Sequence, residues 1–170
     1  ISVLKMIKFN VASINKCTEV EGPFKRLCIW FQGCNIHCEG CCNPDYQALI
    51  PKHLMSLDEL MEIIQEAQNE FGIEGVTFSG GEPSLQQNLS ILTSKIKELE
   101  LGVISFTGHD YEEVKECFVG CDVVLDGAYR QDQKETQRRL LGSTNQRIIC
   151  LTDRYFDCIH EWFNNANKKI

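Results

Sequence analysis

Apolar residues fall along this chain in blocks whose spacing switches between two and three-to-four. Ile7, Phe9 and Val11 alternate with Lys8 and Asn10, the period of a half-buried strand whose successive side chains face opposite ways. Leu27 to Phe31 is a continuous apolar run, which predicts a strand buried on both faces. Ser56-Leu57-Asp58-Glu59 has the form of a helix capping box. Leu57, Leu60, Met61, Ile64, Ala67 and Phe71 then share one helical face. Gly75 to Phe78 predicts another strand, and Leu85, Leu89, Leu92, Ile96 and Leu99 a second helix. Further strands are predicted at Val103–Phe106, Val123–Leu125 and Ile148–Leu151, with a short helix over Tyr111–Cys117. Phe156, Ile159, Trp162 and Phe163 predict a C-terminal amphipathic helix that closes over the core.

Strands alternating with helices imply parallel pairing through right-handed crossovers. Ligands of such sheets sit beyond the carboxyl ends of the strands. The unusual residues of the chain fall in those loops. The strand ending at Phe31 runs into a cysteine-rich segment, the next into Ser79-Gly80-Gly81-Glu82, the next into Thr107-Gly108-His109, and the next into Asp126-Gly127. Four loops on one rim predict one site.

The cysteine-rich segment is Gly33-Cys34-Asn35-Ile36-His37-Cys38-Glu39-Gly40-Cys41. Three thiolates so closely spaced can wrap a cubane iron–sulfur cluster. Three ligands for four irons leave one iron open, and an open metal position implies chemistry. A structural zinc knuckle completed by Cys42 or His37, or a thiol cluster without metal, is the alternative reading of the same spacing.

Composition narrows the setting. The 170 residues suit a single domain over 1–170, and 43% hydrophobic content is enough for a sizeable core. A net charge of −7 and a pI of about 5.1 argue against nucleic-acid binding through a basic face. Arg138-Arg139 and Lys168-Lys169 read as solvated surface. Ten cysteines could frame a secreted disulfide scaffold. The N-terminus lacks the apolar core of a signal peptide and no run approaches a membrane span, so a reducing cytoplasm is expected. Cys17, Cys28, Cys117, Cys121, Cys150 and Cys158 then read as core or surface thiols, a second cluster on Cys117 and Cys121 being the alternative.

The cysteine triad together with Gly75-Val76-Thr77-Phe78-Ser79-Gly80-Gly81-Glu82-Pro83 resembles the radical S-adenosylmethionine (SAM) superfamily. Val124-Leu125-Asp126-Gly127-Ala128-Tyr129, Arg139 to Ile149 with its Gly142-Ser143-Thr144-Asn145-Gln146-Arg147 run, Glu21-Gly22-Pro23 and Asn43 narrow the resemblance to activating proteins of anaerobic ribonucleotide reductase. The resemblance runs from about Glu21 to Ile149. It implies an α/β fold, a partial, open (β/α) barrel trimmed to a small single domain. It implies that Cys34, Cys38 and Cys41 ligate a [4Fe–4S] cluster whose fourth iron takes the amino and carboxylate groups of S-adenosyl-L-methionine. Gly80, Gly81, Glu82 and Pro83 would lie along the methionine end, Glu82 accepting from the ammonium.

The same resemblance places the backbone of Gly40 and Cys42 near the adenine, although many superfamily members carry an aromatic where Gly40 stands. Thr107 and Asp126 become candidates for the ribose or amino group, with strand-end capping as their alternative. Asn43 reads as support for the cluster loop, and Asn145-Gln146-Arg147 as support for that loop or a partner contact. Glu21-Gly22-Pro23-Phe24 departs from the Asp-Gly-Pro-Gly of related activases, and His37 and His109 read as exposed polar residues. The implied activity is that of an oxidoreductase: reductive cleavage of SAM to a 5′-deoxyadenosyl radical that installs a glycyl radical on a partner enzyme, anaerobic ribonucleotide reductase. Flavodoxin or ferredoxin would donate the electron, and no nucleic acid or membrane would take part. Two alternatives stay open, a compact radical SAM enzyme acting on a small molecule or peptide, and a non-enzymatic iron–sulfur or zinc module.

Overall fold

The computed structural model describes residues 6–165, so the Lys168-Lys169 pair lies outside the described residues. Seven strands, β1 (Lys8–Thr18), β2 (Arg26–Phe31), β3 (His53–Ser56), β4 (Gly75–Gly80), β5 (Gly102–Phe106), β6 (Val123–Asp126) and β7 (Arg147–Cys150), form one sheet. Its order is β3-β1-β2-β4-β5-β6-β7. The helices are α1 (Leu57–Phe71), α2 (Leu89–Glu98), α3 (Tyr111–Val114) and α4 (Ile159–Asn164).

The alternation of strands and helices gave parallel pairing for the centre of the sheet only. β2, β4, β5 and β6 run parallel, whereas β1 is antiparallel to both β2 and β3, and β7 is antiparallel to β6. The reason is in the connections. β1 joins β2, and β6 joins β7, without a crossover helix packed on the sheet, so the chain returns in the opposite direction. The edge strand β3 was not legible: it is four residues long and two of them are exposed. The overall class is mixed α/β.

Pleating sends neighbouring residues to different cores. Leu27, Ile29 and Phe31 of β2 pack with Val76, Phe78 and the buried stripe Leu60, Ile64 and Ala67 of α1. On the other face, Ile104, Val123 and Leu125 pack with Tyr155, Ile159 and Phe163. Helix α4 therefore closes this second core as its spacing predicted, but it starts at Ile159 and leaves Phe156 exposed. The capping box works as read: Glu59 N–H donates to Ser56 Oγ at 3.1 Å. α1 stops at Gly72, whose φ of +64° is the left-handed C-cap geometry glycine allows. The helix predicted over Tyr111–Cys117 divides into α3 and a 3₁₀ turn at Lys115–Phe118. Leu85, expected on α2, sits instead in the turn Pro83–Leu85 and is partly exposed.

Candidate functional site

The four loops do converge. One cavity of about 410 Å³ is lined by Cys34, Cys38, Gly40, Cys41, Cys42 and Asn43, by Gly80, Gly81 and Glu82, by Thr107 and Gly108, and by Gly127 and Tyr129. Pro83 is buried behind it, and Asp126 is not part of its wall.

The cysteine loop is tied down at both ends. Gly33 N–H donates to Tyr46 O at 2.7 Å and Cys34 N–H to Gln47 O at 2.9 Å. Gln32 holds the same turn through Nε2, which donates to Ala48 O at 2.9 Å. Farther on, Asn43 Nδ2 donates to Gly80 O at 3.4 Å, joining the cysteine loop to the glycine pair. Two backbone N–H groups, Ile36 and Asn43, point at the sulfurs of Cys34 and Cys41, each at 3.4 Å. Such contacts favour the thiolate. Burial pushes the Cys38 thiol up, a hydrogen bond from the Tyr129 backbone opposes this, and Cys41 and Cys34 raise it further. Cys42 is likewise pushed up, first by burial and then by Cys41. Mutually repelling sulfurs around one cavity suit a cationic metal cluster, which deprotonates its thiol ligands outright. Among the described residues no three His, Cys, Asp or Glu side chains are drawn together as a single-ion site requires. The thiols ring the cavity instead.

The glycine pair is where backbone meets backbone. A Cβ on Gly81 would lie 2.2 Å from Gly33 O and 2.5 Å from Tyr46 O, so no side chain fits. Glu82 follows at 1% exposure, and its carboxylate is fully engaged by the protein. Oε2 accepts from Ser84 N at 3.0 Å, Ser84 Oγ at 2.5 Å and Thr107 Oγ1 at 2.8 Å, while Oε1 accepts from Gly108 N at 2.7 Å. Glu82 thus welds the loop after β4 to the loop after β5. Thr107 lines the cavity and shares that bond, and its Oγ1 also accepts from His109 N–H at 3.1 Å.

Asp126 is engaged by the protein at the end of β6. Its carboxylate takes Tyr111 N–H at 2.8 Å and both arms of Arg147, at 3.0 and 2.5 Å. The rest of the 142–147 run is a clip on the same loop. Asn145 Nδ2 donates to Ala128 O at 2.8 Å and Gln146 Nε2 to Gly127 O at 3.0 Å, while Gln146 Oε1 accepts from Gly142 N and Ser143 N. His37 is exposed, and half-buried His109 pairs with Asn35 at 3.2 Å. Glu21 lines the cavity, and burial pushes its carboxyl up.

Arg26 was not singled out by sequence, though a charge at the head of an apolar strand was the available signal. It is fully buried and donates to Thr77 Oγ1, Pro23 O, Glu74 Oε1, Tyr155 OH and Val76 O at 2.8 to 3.1 Å. Tyr155 OH donates in turn to Glu74 at 2.5 Å. All ten cysteines are free thiols. Cys121 lies in the apolar core with its pKa pushed up to about 12 by burial, and Cys117 Sγ contacts Ser84 O at 3.7 Å.

Comparison with known proteins gives these observations a family. The 4Fe-4S single cluster domain matches residues 20–149. The anaerobic ribonucleoside-triphosphate reductase-activating protein of Enterobacteria phage T4 is 31% identical over 151 residues, covering 85% of this chain and 96% of that protein. The protein of the same name from Pasteurella multocida (strain Pm70) is 27% identical, covering 78% of this chain and 92% of that one. The pyruvate formate-lyase-activating enzyme of Clostridium pasteurianum is 32% identical over 125 residues, 71% of this chain, which spans only 52% of that longer enzyme. In three dimensions the chain shares its fold with QueE from Escherichia coli, at a TM-score of 0.51 and 16% identity over 59% of this chain and 53% of QueE. A [4Fe–4S] cluster and S-adenosyl-L-methionine are the cofactors these relationships imply, and a cavity ringed by three thiols, with bare glycine backbone opposite, fits them. The chain belongs to the 4Fe-4S single cluster domain family and, within it, to the anaerobic ribonucleoside-triphosphate reductase-activating proteins.

Proposed function

We propose that this protein activates an anaerobic ribonucleotide reductase, a glycyl radical enzyme. Bound in the cavity, the cluster and S-adenosyl-L-methionine would supply, on reduction by one electron and with release of methionine, a 5′-deoxyadenosyl radical able to take a hydrogen atom from a backbone glycine of the partner. The observation that carries this reading is the shared cavity: the three cysteines, the glycine pair and Thr107 face one space although they come from three separate loops.

The roles follow from that geometry. Cys34, Cys38 and Cys41 would hold three irons of the cluster. Gly80 and Gly81 present bare backbone to the methionine end. Glu82, already saturated with donors, positions that backbone and Thr107 rather than receiving the ammonium itself. Thr107 remains free to contact the cofactor through its cavity face. Gly40 and Cys42 border the adenine, and Asn43 anchors the loop they share. Asp126 and Pro83 act from behind the wall. Such a small sheet, with helices α1 and α2 on one face and the cavity at the carboxyl ends of its parallel strands, is read as a partial, open barrel in a single domain over 1–170.

Flavodoxin or ferredoxin is the proposed electron donor, and the cytoplasm the proposed compartment. Among the described residues no helix is long and apolar enough to cross a membrane, and the acidic net charge of −7 argues against nucleic-acid binding through a basic face. The test is to incubate the reduced, cluster-loaded protein with SAM and an anaerobic ribonucleotide reductase. The expected result is 5′-deoxyadenosine together with a glycyl radical doublet on the reductase. Cleavage of SAM with hydrogen transfer into a small molecule and no protein radical would contradict it.

A further inference from the structure

Tyr129 occupies a place in the cavity that none of the roles above uses. A Cβ built on Gly40 would lie 3.3 Å from its Cε1, and one on Gly142 only 2.6 Å from Cδ2 and 2.9 Å from Cε2. Those atoms are on opposite edges of the ring. Two glycines from separate loops therefore flank the phenol at its edges: a side chain at Gly142 would displace it, and one at Gly40 would crowd it. The backbone beneath is fixed as tightly. Asn145 Nδ2 donates to Ala128 O at 2.8 Å, and Arg130 N–H donates to Ser143 Oγ at 3.1 Å. A half-buried aromatic ring is thus held on the wall of the cavity that the cysteine triad lines, beside Ile36 and Leu141.

We propose that the face of Tyr129 is the platform on which the adenine of S-adenosyl-L-methionine stacks. The inference rests on the reading that this cofactor fills the cavity. Gly40 has no side chain to offer a nucleobase, and its neighbour in space supplies one from the loop after β6. Aromatic stacking on a base is a sizeable and geometry-dependent contribution, and a ring whose edges are clamped loses little freedom when the base arrives.

The test compares wild type, Tyr129→Phe and Tyr129→Leu, each loaded with its cluster and reduced anaerobically. SAM and, separately, L-methionine, which lacks the nucleoside, are titrated while the electron paramagnetic resonance spectrum of the cluster is followed. Tyr129→Phe is expected to bind SAM as wild type does. Tyr129→Leu is expected to bind SAM about tenfold more weakly with its response to L-methionine unchanged. Equal SAM affinity in Tyr129→Leu would overturn the proposal, as would a parallel loss for L-methionine or loss of iron from that variant while Tyr129→Phe keeps it. A wild-type spectrum indifferent to SAM would overturn the underlying reading, and this one with it.

Discussion

The two ends of the parallel strands are built from opposite materials. At their amino ends, where β2 and β4 begin, Arg26 is buried with its donors shared among Thr77, Glu74, Tyr155 and two carbonyls. At their carboxyl ends stand thiols that range from buried Cys34 to exposed Cys42, bare glycines and a cavity. The first end is complete in itself and ties the segment after β7 back to the sheet. The second has thiols that repel one another and glycine backbone on the wall of an open cavity. Strand ends of one sheet can therefore be told apart by whether their polar groups are already satisfied. Glu82 and Asp126, two buried carboxylates at the site end, are the exception there, because their oxygens are already engaged by donors as the groups of the other end are.

That contrast can be broken at several points. The largest effect is expected from Cys34→Ala, which removes a ligand from the satisfied loop base: SAM cleavage should fall to background and iron content should drop, while thermal unfolding stays within a few degrees of wild type. Normal turnover in that variant would end the cluster assignment. Arg26→Met should do the reverse. Leaving Glu74, Tyr155, Thr77 and two carbonyls without their cation should cost about 3–5 kcal/mol of stability in urea unfolding, with SAM affinity preserved in the folded fraction. A cost below about 1 kcal/mol would show that the two ends do not divide the work in this way.

Glu82→Gln probes the exception. An amide puts a donor against one of the four donors now facing the carboxylate, so about 1–3 kcal/mol of stability should be lost and SAM affinity reduced by about tenfold. An affinity loss without any stability loss would return Glu82 to direct contact with the cofactor. The smallest effect lies at the rim, where the hydrogen bond from Arg138 holds the Glu135 carboxyl below its ordinary value of 4.5. A depressed carboxylate stabilises the fold above its unfolded value, and the contribution disappears as pH falls through the folded one. Glu135→Gln should therefore lower stability at pH 7 by no more than about 0.5 kcal/mol for such a surface pair, with the difference vanishing under acid conditions.

Much of the site was legible because its residues are named by their spacing and their place after strands. The apolar blocks placed β2, β4, β5 and β6, and the loops after them were bound to meet. The directions of β1 and β7 were not legible, since periodicity reports which face is buried and not which way a strand runs. β3 is too short and too exposed to leave a pattern. The resemblance offered Asp126 for the ribose or amino group, with strand-end capping as the alternative, and its spacing could not show which groups its carboxylate meets. Its engagement by Arg147, twenty-one positions on, is a tertiary fact. Arg26 and Tyr155 are 129 residues apart, so neither alone suggested the network they form.

The most direct test of the account is spectroscopic. The protein would be reconstituted anaerobically with iron and sulfide, reduced, and its electron paramagnetic resonance spectrum recorded with and without SAM. A [4Fe–4S]⁺ signal that shifts on adding SAM is the predicted result, because the three cysteines leave one iron open to it. No cluster, or a cluster whose signal is unmoved by SAM, would contradict the account and leave the cavity as a metal-binding module without radical chemistry.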